Sequence, residues 1–403
     1  MEIWKRNLFV ISFALFIVMS AMSMVMPFLP LFIQEELGVE DPHQVTAWAG
    51  IVFGANFLTA GLISPLWGNL ADKYGRKIMI LRSGYCMSVI IALTGLVGNV
   101  WHLLGLRLLN GTVGGIIPAG TALVASATPK EKVGWAQGVL QSCTVAGTIM
   151  GPLFGGLLAD IIGYRLIFVI TGVLVLLSTI LVTVTVKENF TPPPAREQTS
   201  VREDARLIFS TRPLPALFLV TVMIQFALLS VNPVLPMYVK SLLGSPDRVA
   251  FYAGLVTAAM GVANVIASPQ LGKLGDRFGS QKVLLFCLIA SALIFIPQAM
   301  VTQVWQLVVL RFLLGMFIGG LLPSVNSLLR RATPTHMISR VYGFNNSFLA
   351  FGSMLGPTIG GLLAGYVSLK GVFLMTGLLL LINSGWVAYS LWRQPLPRDV
   401  SPM

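Results

Sequence analysis

The chain has 403 residues, 55% of them hydrophobic and only 10% charged, with a mean hydropathy of +0.82 and a formal net charge of +12. A soluble domain carries roughly 25% charged residues, so this composition excludes a water-soluble globule and makes a bilayer the expected solvent. The positive charge is dispersed among loops, which excludes a nucleic-acid-binding patch. Cys86, Cys143 and Cys287 lie inside apolar runs and His43, His102 and His336 lack ligand spacing, which excludes a disulfide framework and a metal site.

A helix needs about 20 apolar residues to cross roughly 30 Å of hydrocarbon. That rule predicts an all-α membrane protein of twelve spans, at about 7–33, 46–71, 78–98, 101–126, 134–160, 164–186, 214–241, 249–275, 281–301, 304–330, 339–366 and 370–392. Trp4-Lys5-Arg6 precedes an apolar run longer than a signal-peptide core, so the first span reads as uncleaved. Spans 1 and 7 share a Pro-x-x-Pro, Pro27/Pro30 and Pro233/Pro236. Proline removes a helical hydrogen bond, so these prolines either kink the helices or end them.

The spans divide into a six-helix bundle over 1–186, a linker over 187–213 and a second six-helix bundle with a short tail over 214–403. The linker holds Pro192-Pro193-Pro194 and charges of both signs. It reads as solvated, with room for one short amphipathic helix on the membrane surface. Lys and Arg set the orientation. With the N-terminus inside, 21 of the 27 fall in inner segments and only Arg165, Lys240, Arg248 and Lys370 in outer ones. Both termini and the linker are therefore expected in the cytoplasm. The remaining two, Arg107 and Arg311, lie inside spans 4 and 10.

The chain repeats itself. Gly68-Asn-Leu-Ala-Asp72-Lys73-Tyr-Gly75-Arg76-Lys77 between spans 2 and 3 recurs 204 residues later as Gly272-Lys-Leu-Gly-Asp276-Arg277-Phe-Gly279-Ser-Gln. Its glycines allow a tight turn, and its acid can cap a helix or pair with the bases. A plain solvated loop would not be expected twice at one offset. Arg107 and Arg311 are also 204 apart. A guanidinium within a span is costly and by default functional, while snorkelling to the outer surface is the alternative. A third repeat joins Gly147, Gly151, Pro152, Gly155 and Gly156 of span 5 to Gly352, Gly356, Pro357, Gly360 and Gly361 of span 11. Glycines at i, i+4 and i+8 share one helix face and let another helix approach closely.

On these three motifs the chain resembles the major facilitator superfamily over its whole length. The span 5 pattern resembles the antiporter motif of its twelve-span drug:proton antiporter family, and its recurrence in span 11 resembles bacterial multidrug efflux members. The resemblance implies two pseudo-symmetric six-helix bundles around a central cavity, rocking between two access states in the bacterial cytoplasmic membrane. Parallel halves related along the membrane normal agree with the repeat. The resemblance further implies that Asp72, with Lys73, Arg76 and Lys77, latches the cytoplasmic side. Asp276 and Arg277 would be a weaker copy, because Ser280 and Gln281 replace Arg76 and Lys77. Arg107 would stabilise a coupling carboxylate, or tune when it releases its proton.

No Asp or Glu falls in the middle of any predicted span. A proton site would then be peripheral, with Asp72 the first candidate, although a purely structural latch fits it equally. The family places substrate between spans 1, 4, 7 and 10, with help from 2, 5, 8 and 11. In those spans Asn56, Gln141, Gln225, Asn232, Asn346, Phe57 and Phe226 are the candidate contacts, and interhelical hydrogen bonding is the simpler role for each amide. Apolar walls with neutral polar groups suit varied amphiphiles.

The reading is a secondary exporter of small amphiphilic drugs in exchange for protons, working as a monomer. The resemblance implies fluoroquinolones and fosfomycin-like antibiotics as substrates. An importer or metabolite exporter of the same fold is the alternative, followed by a non-transporting membrane receptor. No nucleophile, acid–base pair or Gly-x-x-x-x-Gly-Lys-[Ser/Thr] turn is present. Neither an enzyme, an ATP-driven pump nor a bound cofactor is expected, and the proton gradient is the expected energy source.

Overall fold

The computed structural model describes residues 2–129, 132–188, 190, 201–211, 213–244, 248–333 and 337–392; the side chains of 65, 68, 69, 72, 201–205, 338, 339, 391 and 392 lie outside that description. Among the described residues every regular element is a helix. Twelve spans result. Span 1 is α1 (Ile3–Met24) and α2 (Leu29–Glu35), span 2 is α3 (Pro42–Tyr74), span 3 is α4 (Arg76–Thr94), and span 4 is α5 (Val100–Val113) with α6 (Ile116–Ala127). Spans 5 and 6 are α7 (Val133–Ile162) and α8 (Tyr164–Thr185). After the linker helix α9 (Val201–Ser210), span 7 is α10 (Leu214–Ser230) and α11 (Leu235–Leu243), and spans 8, 9 and 10 are α12 (Val249–Phe278), α13 (Ser280–Gln298) and α14 (Val304–Ala332). One long helical stretch then bends at Ser368, where φ is 69°, into α15 (338–367) and α16 (369–392), spans 11 and 12.

The prolines of spans 1 and 7 break their helices. Each span passes through a turn, 25–28 or 231–234, before a short second helix with Pro30 or Pro236 in its first turn. Proline fits there because the first-turn N–H groups have no intrahelical acceptor. Span 4 is also broken, at Gly114-Gly115, where the sequence predicts a continuous helix.

The linker helix lies against the second half. Ile208 is fully buried, and the ring of Phe209 sits 6.2–6.4 Å from those of Phe218, Phe344 and Phe348. The start of the linker is tied to the first half, because the Asn7 amide donates to the Lys187 carbonyl and accepts from the Lys187 N–H. The two ends of the molecule are called below the basic end, which carries the Gly68–Lys77 loop, and the far end, which carries α2 and α11.

Candidate functional site: the interface between the halves

Spans 5 and 11 are where the halves meet, and their repeated glycines explain how. A methyl group on Gly147, Gly151 or Gly155 would strike the backbone of span 1, at Phe16, Ser20 or Met24. A methyl on Gly352, Gly356 or Gly360 would strike span 7, at Val222, Phe226 or Ser230. The final glycine of each motif turns outward to the opposite half. Gly156 lies on the Ala250 backbone of span 8, and Gly361 on the Thr46 backbone of span 2. The contact is returned in both cases, by Gly254 against Pro152 and by Gly50 against Pro357. Gly50 and Gly254 are 204 residues apart, the offset of the loop repeat, and that spacing is the signal that marks them in the sequence. Each motif thus packs its own half together and closes one seam between the halves.

Polar bonds reinforce the seams at the far end. The Lys240 ammonium donates to Gln34 Oε1 at 2.9 Å and pairs with Glu35 at 3.2 Å, joining α11 to α2. The Asp160 carboxylate at the end of α7 accepts from the Phe251 N–H at 3.0 Å, capping α12 across the interface. The first N–H groups of a helix carry partial positive charge, so a carboxylate is the favoured cap. The Thr358 hydroxyl reaches the Gly50 carbonyl at 3.4 Å. Within the first half, Arg165 binds Glu36 at 2.6 Å and the Gly95 and Val97 carbonyls, tying spans 1, 3 and 6. Towards the basic end the same interface helices open. Gly138 of span 5, Gly272 of span 8 and Gly343 of span 11 have nothing within 4 Å of where a methyl would sit, and Gln141 and Asn346 are exposed.

The two basic-end loops differ. Gly75 (φ 97°) and Gly279 (φ 98°) both adopt backbone that L side chains disfavour, which explains a glycine at each. In the first loop the Glu188 carboxylate, just past span 6, accepts the Arg76 and Lys77 N–H groups, and the Lys77 ammonium donates to the Thr183 and Val186 carbonyls. Lys73 lies over the Tyr74 ring. Glu188 went unnoticed in the sequence because it sits among linker charges, without a repeat partner. Gly68 lies within α3, and the Asp72 side chain lies outside the described residues. In the second loop Asp276 and Arg277 are exposed, and Arg277 lies over the Phe278 ring.

The intramembrane arginines meet aromatic rings. Arg107 lies 5.9 Å from the centroid of Phe168 in span 6, and Arg311 lies 5.5 Å from that of Phe373 in span 12. Phe168 and Phe373 are 205 residues apart, so the cation–π pair belongs to the repeat. Arg311 is 2% exposed and therefore does not snorkel; its Nη1 approaches the Met260 sulfur at 3.7 Å. Neither arginine forms an ion pair among the described residues.

The break in span 4 is held by Arg82, which the sequence reading counts among the inner-loop bases, and by Trp67 of span 2. One edge of the Arg82 guanidinium, Nη2, donates to the carbonyls of Val113 at 3.3 Å and Gly114 at 2.9 Å, which the break frees from the helix ladder. Its face stacks on Trp67, 3.2 Å from the ring centroid, and Trp67 donates to the Thr112 carbonyl at 2.6 Å.

The cavity candidates separate. Asn56 accepts a hydrogen bond from Asn110 at 3.0 Å, an interhelical contact. Phe57 lines a groove between spans 2 and 11, and Phe226 one between spans 7, 11 and 12. Gln225 and Asn232 are half-buried.

Comparison with known proteins agrees with this architecture. The sequence profile described as Major Facilitator Superfamily matches residues 11–253 and 217–402. A protein of Serratia proteamaculans named Multidrug resistance protein MdtG is 41% identical over 392 residues, covering 97% of this chain and 95% of that protein. The Escherichia fergusonii protein of the same name is 41% identical over 395 residues, with 98% and 97% covered. Among solved structures, the nucleoside transporter NupG superposes with a TM-score of 0.80 at 14% identity, covering 97% of this chain and 99% of that one. A bacterial homolog of the human lysosomal transporter Spinster, in an inward-facing and unoccupied conformation, gives 0.79 at 14% identity, with 96% and 97% covered. At those identities the likeness is one of fold.

Proposed function

The chain belongs to the major facilitator superfamily, as a multi-pass membrane transporter of its multidrug efflux type and not an enzyme, and on that premise we propose that it exports small amphiphilic drugs in exchange for protons by alternating access. One observation carries the mechanism: matched glycine seams and the Lys240–Glu35 and Asp160–Phe251 bonds join the halves at the far end, while Gly138, Gly272 and Gly343 stand open towards the basic end. Two halves that meet from the far end as far as Gly61–Ala350 and Gly261–Ile149, and part beyond, can rock about that contact. The basic end faces the cytoplasm, because inner loops carry the Lys and Arg, and the structure is then the inward-open state.

The parts divide the work. The Gly-Pro motifs and their partners form the outer gate. The Gly68–Lys77 loop, with Asp72, closes the inner side in the opposite state. Gln141 and Asn346, equivalent across the repeat and exposed inside spans, face the water-filled cleft between the halves and contact substrate. The lack of a mid-span acid argues against strong selection for cations, and neutral and zwitterionic amphiphiles, fluoroquinolones among them, are the proposed substrates. One proton moving through 100 mV supplies about 2.3 kcal/mol, enough for roughly a fiftyfold gradient at 1.4 kcal/mol per tenfold.

The test uses purified protein in liposomes with a fluorescent amphiphilic drug and an imposed pH gradient. Drug movement against its gradient, abolished by a protonophore, is the expected result. Movement only downhill, whatever the pH, would remove the antiport reading.

A further inference from the structure

We propose that Asp160 is a latch selective for one access state, whose carboxylate holds the seam between spans 5 and 8 only while the far end is closed, an inference that rests on the alternating-access reading above. The turn that carries it occurs four times. Leu70-Ala71-Asp72 before Gly75, Leu158-Ala159-Asp160 before Gly163, Leu274-Gly275-Asp276 before Gly279 and Leu363-Ala364-Gly365 before Ser368 join spans 2 and 3, 5 and 6, 8 and 9, and 11 and 12. The last residue of each has positive φ, at 97°, 80°, 98° and 69°, so one kind of backbone turn serves all four places. The first and third turns lie at the basic end, the second and fourth at the far end. Only the fourth lacks the acid, and it lacks the glycine too.

The two far-end turns face helix starts that are capped differently. Asp160 accepts the Phe251 N–H at 3.0 Å, in the first turn of α12 and across the interface. That N–H is one an N-cap side chain ordinarily takes, but the N-cap residue of α12, Arg248, makes no side-chain cap. Gly156, one turn earlier on α7, lies on the Ala250 backbone, so the close helix contact brings the carboxylate to this helix start. Gly365 holds the corresponding place 205 residues later and adjoins the start of α3, where a methyl added to it would lie 3.5 Å from His43 Cβ. There Asp41 already accepts the His43 N–H at 3.0 Å. Span 8 is therefore capped from the opposite half and span 2 from its own. A cap within one half is made in both access states and leaves their ratio alone. A cap between the halves exists in one state only, and its full value enters the equilibrium. The first half thus carries the acid on both of its turns, Asp72 at the basic end and Asp160 at the far end, whereas the second half carries it only at the basic end, as Asp276.

The test measures far-end separation by spin-label distance spectroscopy on the full-length chain in lipid nanodiscs. The native cysteines are replaced by alanine, and labels are placed at Glu40 and Thr302, exposed far-end positions of the two halves. Asp160→Ala should raise the ratio of open to closed far ends about fivefold, the equivalent of a cap worth about 1 kcal/mol. Asp160→Asn keeps a cap oxygen and should stay within about twofold of the wild type. A shift in Asp160→Asn as large as that in Asp160→Ala would support the latch and assign it to the charge. Asp41→Ala removes the cap made within one half, so it should lower the melting temperature and leave the ratio unchanged. Two separations in the wild type with the same ratio in Asp160→Ala, or an equal shift in Asp41→Ala and Asp160→Ala, would overturn the latch and leave alternating access standing. A single separation, unchanged in the wild type and every variant, would remove alternating access and the latch with it.

Discussion

Spans 4 and 10 hold corresponding places in the two halves, and both carry an arginine, a Gly-Gly pair and then a proline. They differ by one residue. Pro118 comes eleven positions after Arg107, whereas Pro323 comes twelve after Arg311. Span 10 runs unbroken through Gly319-Gly320 from Val304 to Ala332, and span 4 breaks at Gly114-Gly115. The glycines therefore permit a break but do not cause it. Removing one residue from a helix turns everything after it by about 100°. A continuous span 4 would rotate its second part, which buries Ile116, Ala119 and Leu123, off the core. Gly115, at φ 118°, resets the chain at the cost of exposed carbonyls. The surroundings answer that cost. Arg82, Ser83 and Trp67 gather around the break, whereas their counterparts in the second half are Phe286, Cys287 and Leu271. A single missing residue thus accounts for an asymmetry in three neighbouring helices.

What the halves share should fail together. Gly156→Leu and Gly361→Leu each place a side chain where the opposite backbone now lies, so both should reduce drug transport in liposomes more than tenfold with folded protein retained. A loss confined to one of them would show that the two seams are not equivalent.

What separates the halves should fail apart. Arg82→Met leaves the Val113 carbonyl without its donor, and a buried unmet acceptor costs about 1–3 kcal/mol. Thermal unfolding in detergent should fall accordingly, while Phe286→Met, 56% exposed, should change it little. Similar losses for the two would mean that Arg82 does not hold the break.

The two Gly-Gly pairs offer a finer contrast. Gly115→Ala meets a backbone penalty of about 1–2 kcal/mol, which no neighbouring substitution should relieve. Gly320→Ala instead meets the Cys287 sulfur, 2.7 Å from the added methyl, so Cys287→Ala should restore most of the loss. A double-mutant cycle on each pair checks this.

The smallest effect belongs to the loops. Glu188→Gln should cost about 1 kcal/mol, the usual value of a helix cap, because its carboxylate takes the Arg76 and Lys77 N–H groups. Asp276→Asn, exposed and in no ion pair among the described residues, should stay within about 0.5 kcal/mol. A larger effect at Asp276 would mark it as a latch in this state.

Much of this molecule is legible without coordinates. Low charge and long apolar runs leave only a membrane fold, because unpaired backbone groups cannot face hydrocarbon and must be satisfied within helices. The offsets of 204 and 205 expose the two-fold design, and glycines at four-residue spacing announce close helix contacts before their partners are known. Loop charge gives an expected orientation by counting alone. These are properties of one helix or one loop at a time, and a local pattern records them.

Partnership between distant segments is different. Glu188 looks like one more linker charge and Asp160 like the end of a span, until folding brings the α4 and α12 N-termini against them. Arg82 looks like an inner-loop base until Trp67 and the carbonyls of span 4 close around it. Gly156 and Gly361 stand in their motifs like the other glycines, and only the meeting of the halves gives them a separate task. The sequence by itself determined the solvent, the spans, the repeat and the sites of close approach, because hydrophobic length and small-residue spacing act locally. Tertiary structure alone decided which carbonyl, carboxylate or glycine meets which partner, because those choices depend on how helices far apart in the chain rotate and tilt against one another.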